Sequence, residues 1–291
     1  MSVLGIDIGG TMIKTALIHQ TGISYKKRFP TPKKKEEFQQ LIIEIIDKYK
    51  QIQSIRKIAF SVPGSVDKSG TVFFGGAVPY LDQIDLKSCL KLENVEITVE
   101  NDAKAATACE MKYGNLKDVP NGAAIILGTG VGMGICINGQ LYKGTHYQAG
   151  EISFLIRDRQ MTGADSFVGM GLSAVFLINK LAKLLIVEND GEIVFLTLKN
   201  SENEAAKELF NRYCKDVAVL CFNLQTILDV EKIVIGGGIS QQHYLIQTIQ
   251  KAYQSLFEIA PIIKKTLKPM TIEAAKFQAD ANLIGASIKE S

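Results

Sequence analysis

The chain has 291 residues, of which 46% are hydrophobic, with 33 basic against 30 acidic side chains. That length supports one large domain or two, and that apolar content excludes a disordered chain. A net charge of only +3 excludes bulk attraction to nucleic acid or to an anionic membrane. Five scattered cysteines without a CxxC pair predict free thiols in a reducing cytoplasm, and no apolar run is expected to reach membrane-spanning length. Of three histidines, His19 and His243 stand in peripheral settings, so neither a histidine triad nor a zinc centre is expected. The run Lys33-Lys34-Lys35 ahead of Glu36-Glu37 reads as the solvated start of a helix.

In chain order, "VLGIDIGG" reads as a buried strand ending in two glycines, followed by strands in "IKTALIH" and "ISYKKRFPT". Residues 36–50 place Phe38, Leu41, Ile42, Ile45, Ile46 and Tyr49 on one helical face. "KIAFSVPG" and "VEITVEND" are short strands running into turns, and "AKAATACEMKYG" is a small-residue helix closed by Gly114. Then "AAIILGTG" and "GMGICINGQLYKG" repeat the opening unit of strand, glycine turn, strand, which predicts an internal duplication. Helices are predicted from Leu172 to Ile186, Glu202 to Leu228 and Gln241 to Glu258, with a buried strand in "EKIVIGGGIS" and a terminal helix in "ANLIGASIK". This order predicts two α/β lobes, residues 1–110 and 111–291, with a cleft between them and a helix at about 280–290 packing back on the first.

Three glycine clusters end strands: Gly9-Gly10-Thr11, Gly128-Thr129-Gly130 with Gly132 and Gly134, and Gly236-Gly237-Gly238. Such turns present backbone N–H groups to an anion without side-chain obstruction, and together they suggest a polyphosphate and a nucleoside. The chain has no GxxxxGK[ST] pattern, and "GTGVGMG" leads into a strand rather than a helix, so neither a P-loop nor a dinucleotide fingerprint fits. Asp7 interrupts an apolar strand, either as a turn-capping carboxylate or as one that holds Mg²⁺, directly or through water. Lys14 either neutralises phosphate or points into solvent. Glu151, in "HYQAGEISFLIRD", stands ahead of Ile152, Phe154, Leu155 and Ile156, side chains that look destined for a core. It faces water at a turn, or it faces a cleft and binds something.

"LGIDIGGTMIKTALI", "VENDAKAA", "ILGTGVGMGICINGQLYKG", "AGEIS" and "VIGGGIS", in that order over residues 3 to 240, resemble the ROK family of sugar kinases and repressors. The resemblance implies a two-lobed actin-like (hexokinase, ribonuclease H-like) ATPase fold and an ATP- and Mg²⁺-dependent sugar 6-kinase. Asp102 would be the catalytic base, with Asn101, Glu151, Gly64 and Ser65 binding the sugar. Asp7 would hold Mg²⁺ through water. The first two glycine turns, with Thr11, Lys14 and Thr129, would cradle the phosphates, and Gly237 and Gly238 would approach the adenosine. A helix N-cap remains the alternative role for Asn101-Asp102. No helix-turn-helix precedes Val3, which favours a kinase over a repressor, and the family often forms homodimers.

The pattern departs from the family in the sugar region. Phe154 stands where a zinc-binding histidine is usual, and "RDRQMTGADSFVGMGLSAV" has no cysteine or histidine, so no structural zinc is expected. Ser173 stands where a second sugar-binding glutamate is common, and Tyr80 where an asparagine is. Losing these contacts predicts tolerance of a substituent at the anomeric end, as in a β-glucoside such as cellobiose. N-acetylmannosamine kinase, glucokinase, fructokinase and a non-catalytic sugar sensor are the alternatives.

Overall fold

The computed structural model of the chain describes residues 2–19, 22–90 and 95–288. Contacts divide it into two units. The first holds the described residues up to Cys109, Lys143–Ala149 and the described residues from Asp280 on; the second holds Glu110–Tyr142 and Gly150–Ala279. The stretch 143–149, assigned by the sequence reading to the second lobe, lies with the first unit.

The first unit contains β1 (Ser2–Ile8), β2 (Met12–His19), β3 (Gly22–Pro30), α1 (Lys35–Ile52), β4 (Ile55–Val62), β5 (Ser65–Val66), β6 (Thr71–Phe73), β7 (Ile84–Asp85), α2 (Leu86–Leu90) and β8 (Glu96–Asn101). Next comes α3 (Asp102–Tyr113), whose residues from Glu110 on belong to the second unit. The main sheet runs β3-β2-β1-β4-β8, and β5, β6 and β7 make a small antiparallel sheet. β1 is antiparallel to β2 and parallel to β4, so it is buried almost throughout, which is why its sequence is nearly continuously apolar. α1 buries Phe38, Ile42, Ile45, Ile46 and Tyr49, the i, i+4, i+7, i+8, i+11 stripe of an amphipathic helix. Each such side chain contributes about 1.5–3 kcal/mol of burial.

The second unit contains β9 (Gly122–Leu127), β10 (Val131–Ile137), β11 (Gln140–Tyr142), α4 (Val168–Gly171), α5 (Ala174–Leu185), α6 (Gly191–Asn200), α7 (Glu204–Leu228), β12 (Lys232–Gly236), α8 (His243–Leu256), α9 (Pro261–Thr266) and β13 (Thr271–Ala274). The chain then returns to the first unit as α10 (Ala281–Ala286). The sheet order is β11-β10-β9-β12-β13, with β9 antiparallel to β10 and parallel to β12. Strand for strand, this is the topology of the first sheet, as the repeated strand–turn–strand pattern suggested.

Several expectations need correction. α6, α9 and β13 were not foreseen; α9 and β13 are short, and α6 follows an Asn-Asp-Gly turn that reads as loop. Val168–Leu185 does reach the length and apolarity of a membrane span, with mean hydropathy 1.5, but half of it is buried and the helix breaks between α4 and α5. Of the apolar residues after Glu151, Ile152 is buried, whereas Phe154, Leu155 and Ile156 are exposed. Ile152–Phe154 is a single 3-10 turn that carries one apolar side chain inward.

The cysteines are reduced thiols, with Cys109, Cys136, Cys214 and Cys221 buried and Cys89 partly so. Burial pushes the Cys136 and Cys214 thiols up and the Cys221 thiol up to about 12. A thiol reagent added to the native protein should therefore modify one group rapidly. Denaturant should expose all five cysteines, and absorbance of the released chromophore counts both stages.

Candidate functional site

In the first unit the candidate residues collect at the carboxyl ends of β1, β4 and β8. Asp7, 5% exposed, accepts hydrogen bonds from Ser61 Oγ at 2.8 Å and Asn282 Nδ2 at 3.2 Å. Lys14 Nζ lies 3.5 Å from its other oxygen. These partners are side chains from β4, α10 and β2, so Asp7 is an anchored carboxylate rather than a turn cap, and Lys14 leans onto it rather than into water. The turn beyond it closes with Gly9 N donating to Met12 O at 3.0 Å, and Thr31 Oγ1 holds Gly9 O at 2.6 Å. Gly10 and Thr11 remain exposed at its tip.

Asn101, the last residue of β8, is buried with both amide N–H groups and one of the two Oδ1 lone pairs engaged. Its Nδ2 donates to Gly64 O at 2.9 Å and to Asp102 Oδ1 at 3.1 Å, while its Oδ1 accepts Lys104 N at 3.0 Å. The last bond is an N-cap for α3, so capping and positioning are done by one side chain. Asp102 Oδ1 also accepts Ala103 N at 2.7 Å, and the positive end of the α3 dipole favours a carboxylate there. Ser65 is buried on β5 beside Gly64, which has φ 88°. Glu100, next in the strand, pairs with Lys143 at 2.6 Å, which ties the 143–149 stretch to this end of β8.

In the second unit, Gly128 N donates to Gly130 O at 3.0 Å, closing the turn between β9 and β10. Gly128 O accepts Ala174 N at 2.9 Å, docking the turn on the start of α5, where Ser173 Oγ caps Phe176 N at 3.2 Å. Ser153 Oγ donates to Val131 O at 2.8 Å and so joins the segment after Glu151 to the same turn. A cavity of about 400 Å³ opens beside it, lined by Gly128, Ala174, Ile178, Phe195, Gly238 and Gln242, among others. Gly237 has φ 93°, and a Cβ there would fall 2.0 Å from Leu127 O, so only glycine lets β12 turn into this wall. Gly132 and Gly134, grouped with the turn in the sequence reading, instead pair with Ile126 and Ala124 inside β10. They share one face of a strand, two residues apart, rather than a loop.

Sequence reasoning missed the α6 side of this cavity, including Asn189, Asp190 and Glu192. The signal was available: Asp190 Oδ1 accepts Glu192 N and Ile193 N, an N-cap ahead of the apolar Ile193-Val194-Phe195 and Leu198. Among the described residues, no three His, Cys, Asp or Glu side chains gather as a metal centre.

The family model described as "ROK family" matches residues 3–165 and 183–289. This chain belongs to the ROK family. It is 30% identical to an N-acetylmannosamine kinase of Vibrio vulnificus over 300 residues, covering 99% of this chain and 98% of that protein. It is 26% identical to a β-glucoside kinase of Listeria monocytogenes, covering 98% and 96%. A crystal structure of a ROK family protein from Streptococcus pneumoniae in complex with sucrose matches with TM-score 0.82 at 26% identity, over 98% of this chain and 96% of that one. The chain is accordingly a sugar kinase with the mixed α/β, actin-like ROK fold.

Ser173, Tyr80 and Phe154 stand where the resemblance leads one to expect sugar- or zinc-binding residues, and they have the following settings. Ser173 is the α5 cap described above. The Tyr80 hydroxyl donates to Pro32 O at 2.8 Å and its ring packs on Phe38, while burial pushes its pKa up to about 12. Phe154 is 59% exposed. The cysteine-free segment that follows it is fastened by Arg157, whose N donates to Ser166 O at 2.8 Å and whose guanidinium reaches Asp165 O and the Asp216 carboxylate of α7. Arg157→Ala should lower stability by about 0.5–1 kcal/mol, since exposed, charge-assisted side-chain bonds are lost while the backbone bond to Ser166 remains. Thermal melting reads the loss, and limited proteolysis should map the first new cleavage to residues 155–171.

Proposed function

We propose that this ROK chain transfers the γ-phosphoryl group of ATP to the 6-hydroxyl of a hexose derivative, with a β-glucoside such as cellobiose as the preferred acceptor. The observation that carries the reading is the Asn101–Asp102 pair, clamped between Gly64 and the α3 N-terminus. A kinase needs one carboxylate held still against an alcohol, because phosphoryl transfer through a loose transition state depends on positioning more than on early deprotonation. Asp102 orients the hydroxyl and takes its proton late. Asn101, Glu151, Gly64 and Ser65 bind the sugar ring. The turns at Gly9–Thr11 and Gly128–Gly130 bind phosphate, and the cavity beside Gly238 takes the nucleoside. Gly132 and Gly134 support that turn from within β10.

The residues present fit Mg²⁺. It keeps several waters and takes phosphate oxygens, so it asks the protein for one or two carboxylates rather than a cage. Asp7 supplies one, and bound there the ion would neutralise charge on the phosphates. The segment after Phe154 carries no cysteine or histidine that could hold zinc, and Arg157 fastens it; elemental analysis of purified protein should find no stoichiometric zinc.

The tolerance of an anomeric substituent rests on the side chains at positions 80, 154 and 173, none of which offers the sugar-binding group usual in the family. N-acetylmannosamine is the second reading, favoured by the 30% identity to a kinase of that sugar. With Asp102→Asn, turnover should fall by about 10²–10⁴-fold, while nucleotide affinity measured by calorimetry stays within about twofold of wild type. Appreciable turnover in that variant overturns the assignment of the base. Coupled ADP-release assays on cellobiose, phenyl β-glucoside, glucose, fructose and N-acetylmannosamine should rank the β-glucosides first by kcat/KM; a higher value for N-acetylmannosamine selects the second reading.

A further inference from the structure

The loop after β6 concentrates backbone strain in one place. Phe74, Gly75 and Gly76 have φ of 68°, 30° and 50°. A phenylalanine in that region is an outlier, kept only where its surroundings enforce it. Here Phe74 N donates to Asp82 Oδ1 at 2.6 Å, and Val78 N donates to Gly75 O at 2.8 Å. The strained conformation does not serve burial, because Phe74 is 64% exposed and its neighbour Phe73 is 41% exposed. Phe74 is held outward by this loop, next to Phe73, the exposed last residue of β6.

The loop is continuous with the acceptor residues. A Cβ on Gly64 would lie 2.4 Å from Phe73 O and 3.0 Å from Gly75 N, and the carbonyl of that same Gly64 receives the Asn101 amide. On its other side, a Cβ on Gly10 would lie 2.6 Å from Ala77 Cβ. The loop is thus wedged between the turn after β1 and the Gly64–Asn101 pair. Residues 70–81 carry no charge, so the surface they make suits a neutral ligand.

We propose that Phe74, together with Phe73, forms an aromatic platform for the second ring of the acceptor, a glycosyl or aryl group carried on the anomeric carbon of the hexose. The inference rests on the β-glucoside reading above. A pyranose presents C–H groups on its face and an aryl aglycone presents a π-face; either sheds water against an aromatic side chain and gains contact with it. A free monosaccharide has no ring to place there, so the platform acts on specificity rather than on the transfer step.

The test compares wild type, Phe74→Gly and Phe74→Trp on cellobiose, phenyl β-glucoside and glucose. Glycine suits positive φ, so Phe74→Gly keeps the loop and should melt no lower than wild type. The ratio of kcat/KM for cellobiose to that for glucose should fall about tenfold in Phe74→Gly, through KM, and should be retained in Phe74→Trp. A ratio that stays at the wild-type value, or a loss of kcat shared by cellobiose and glucose, overturns the platform and leaves the β-glucoside reading standing. A wild-type enzyme that turns over no β-glucoside overturns that reading and the platform with it.

Discussion

A carboxylate at the end of a strand buried on both faces must be given hydrogen bonds by whatever surrounds it. Asp7 imposes this requirement on the first unit. Parallel pairing sets it opposite Ser61, antiparallel pairing sets it opposite Lys14, and α10 must return from the far end of the sequence to present Asn282. A slip of one residue on either side would turn Ser61 or Lys14 to the opposite face and leave the charge uncompensated. One residue thereby specifies two registers and the docking of the terminal helix. The same anchoring holds the carboxylate in one orientation.

The repeated sheet topology explains why the candidate residues fall into two groups of similar plan. In each sheet the first strand ends in a glycine turn, and its parallel neighbour ends near a glycine of positive φ: Gly64 after β4 and Gly237 after β12. Parallel neighbours bring their carboxyl ends together, the edge where open α/β sheets bind ligands. Divergence then separates the two copies. After β4 the chain forms the small β5–β6–β7 sheet and its aromatic loop, whereas after β12 it passes through a single 3-10 turn, Gly238–Gln241, into α8. The first copy carries Gly64, Ser65 and Asn101 at this edge, and the second a cavity walled by α5 and α6.

What the sequence disclosed depended on how local the chemistry was. The glycine turns, the buried Asp7 and the capping Asn101 were legible because each breaks the pattern of the strand it ends. The duplication was legible from "IDIGGT" set beside "ILGTG". The α6 wall was legible only in part: Asp190 ahead of Ile193-Val194-Phe195 fits a helix cap, but the Asn-Asp-Gly that holds it reads equally well as loop. The exposure of Phe154, Leu155 and Ile156 was not legible, because an apolar run does not reveal that a 3-10 turn carries only Ile152 inward before the chain extends again. Gly132 and Gly134 were grouped with the turn by proximity in sequence, yet the β10 ladder passes straight through them. The strain at Phe74 had no signal beyond the two glycines that follow it, because φ belongs to the fold and not to composition.

Tyr80 carries a consequence for how this chain can change. Its ring closes the α1 side of the first core against Phe38, and its hydroxyl satisfies the Pro32 carbonyl. An asparagine there would remove the ring from a partly buried position, at a cost of about 1–3 kcal/mol, and would give up the hydrogen bond to that carbonyl. The position is therefore committed to packing: a polar side chain there asks for compensating changes around Phe38 and Pro32.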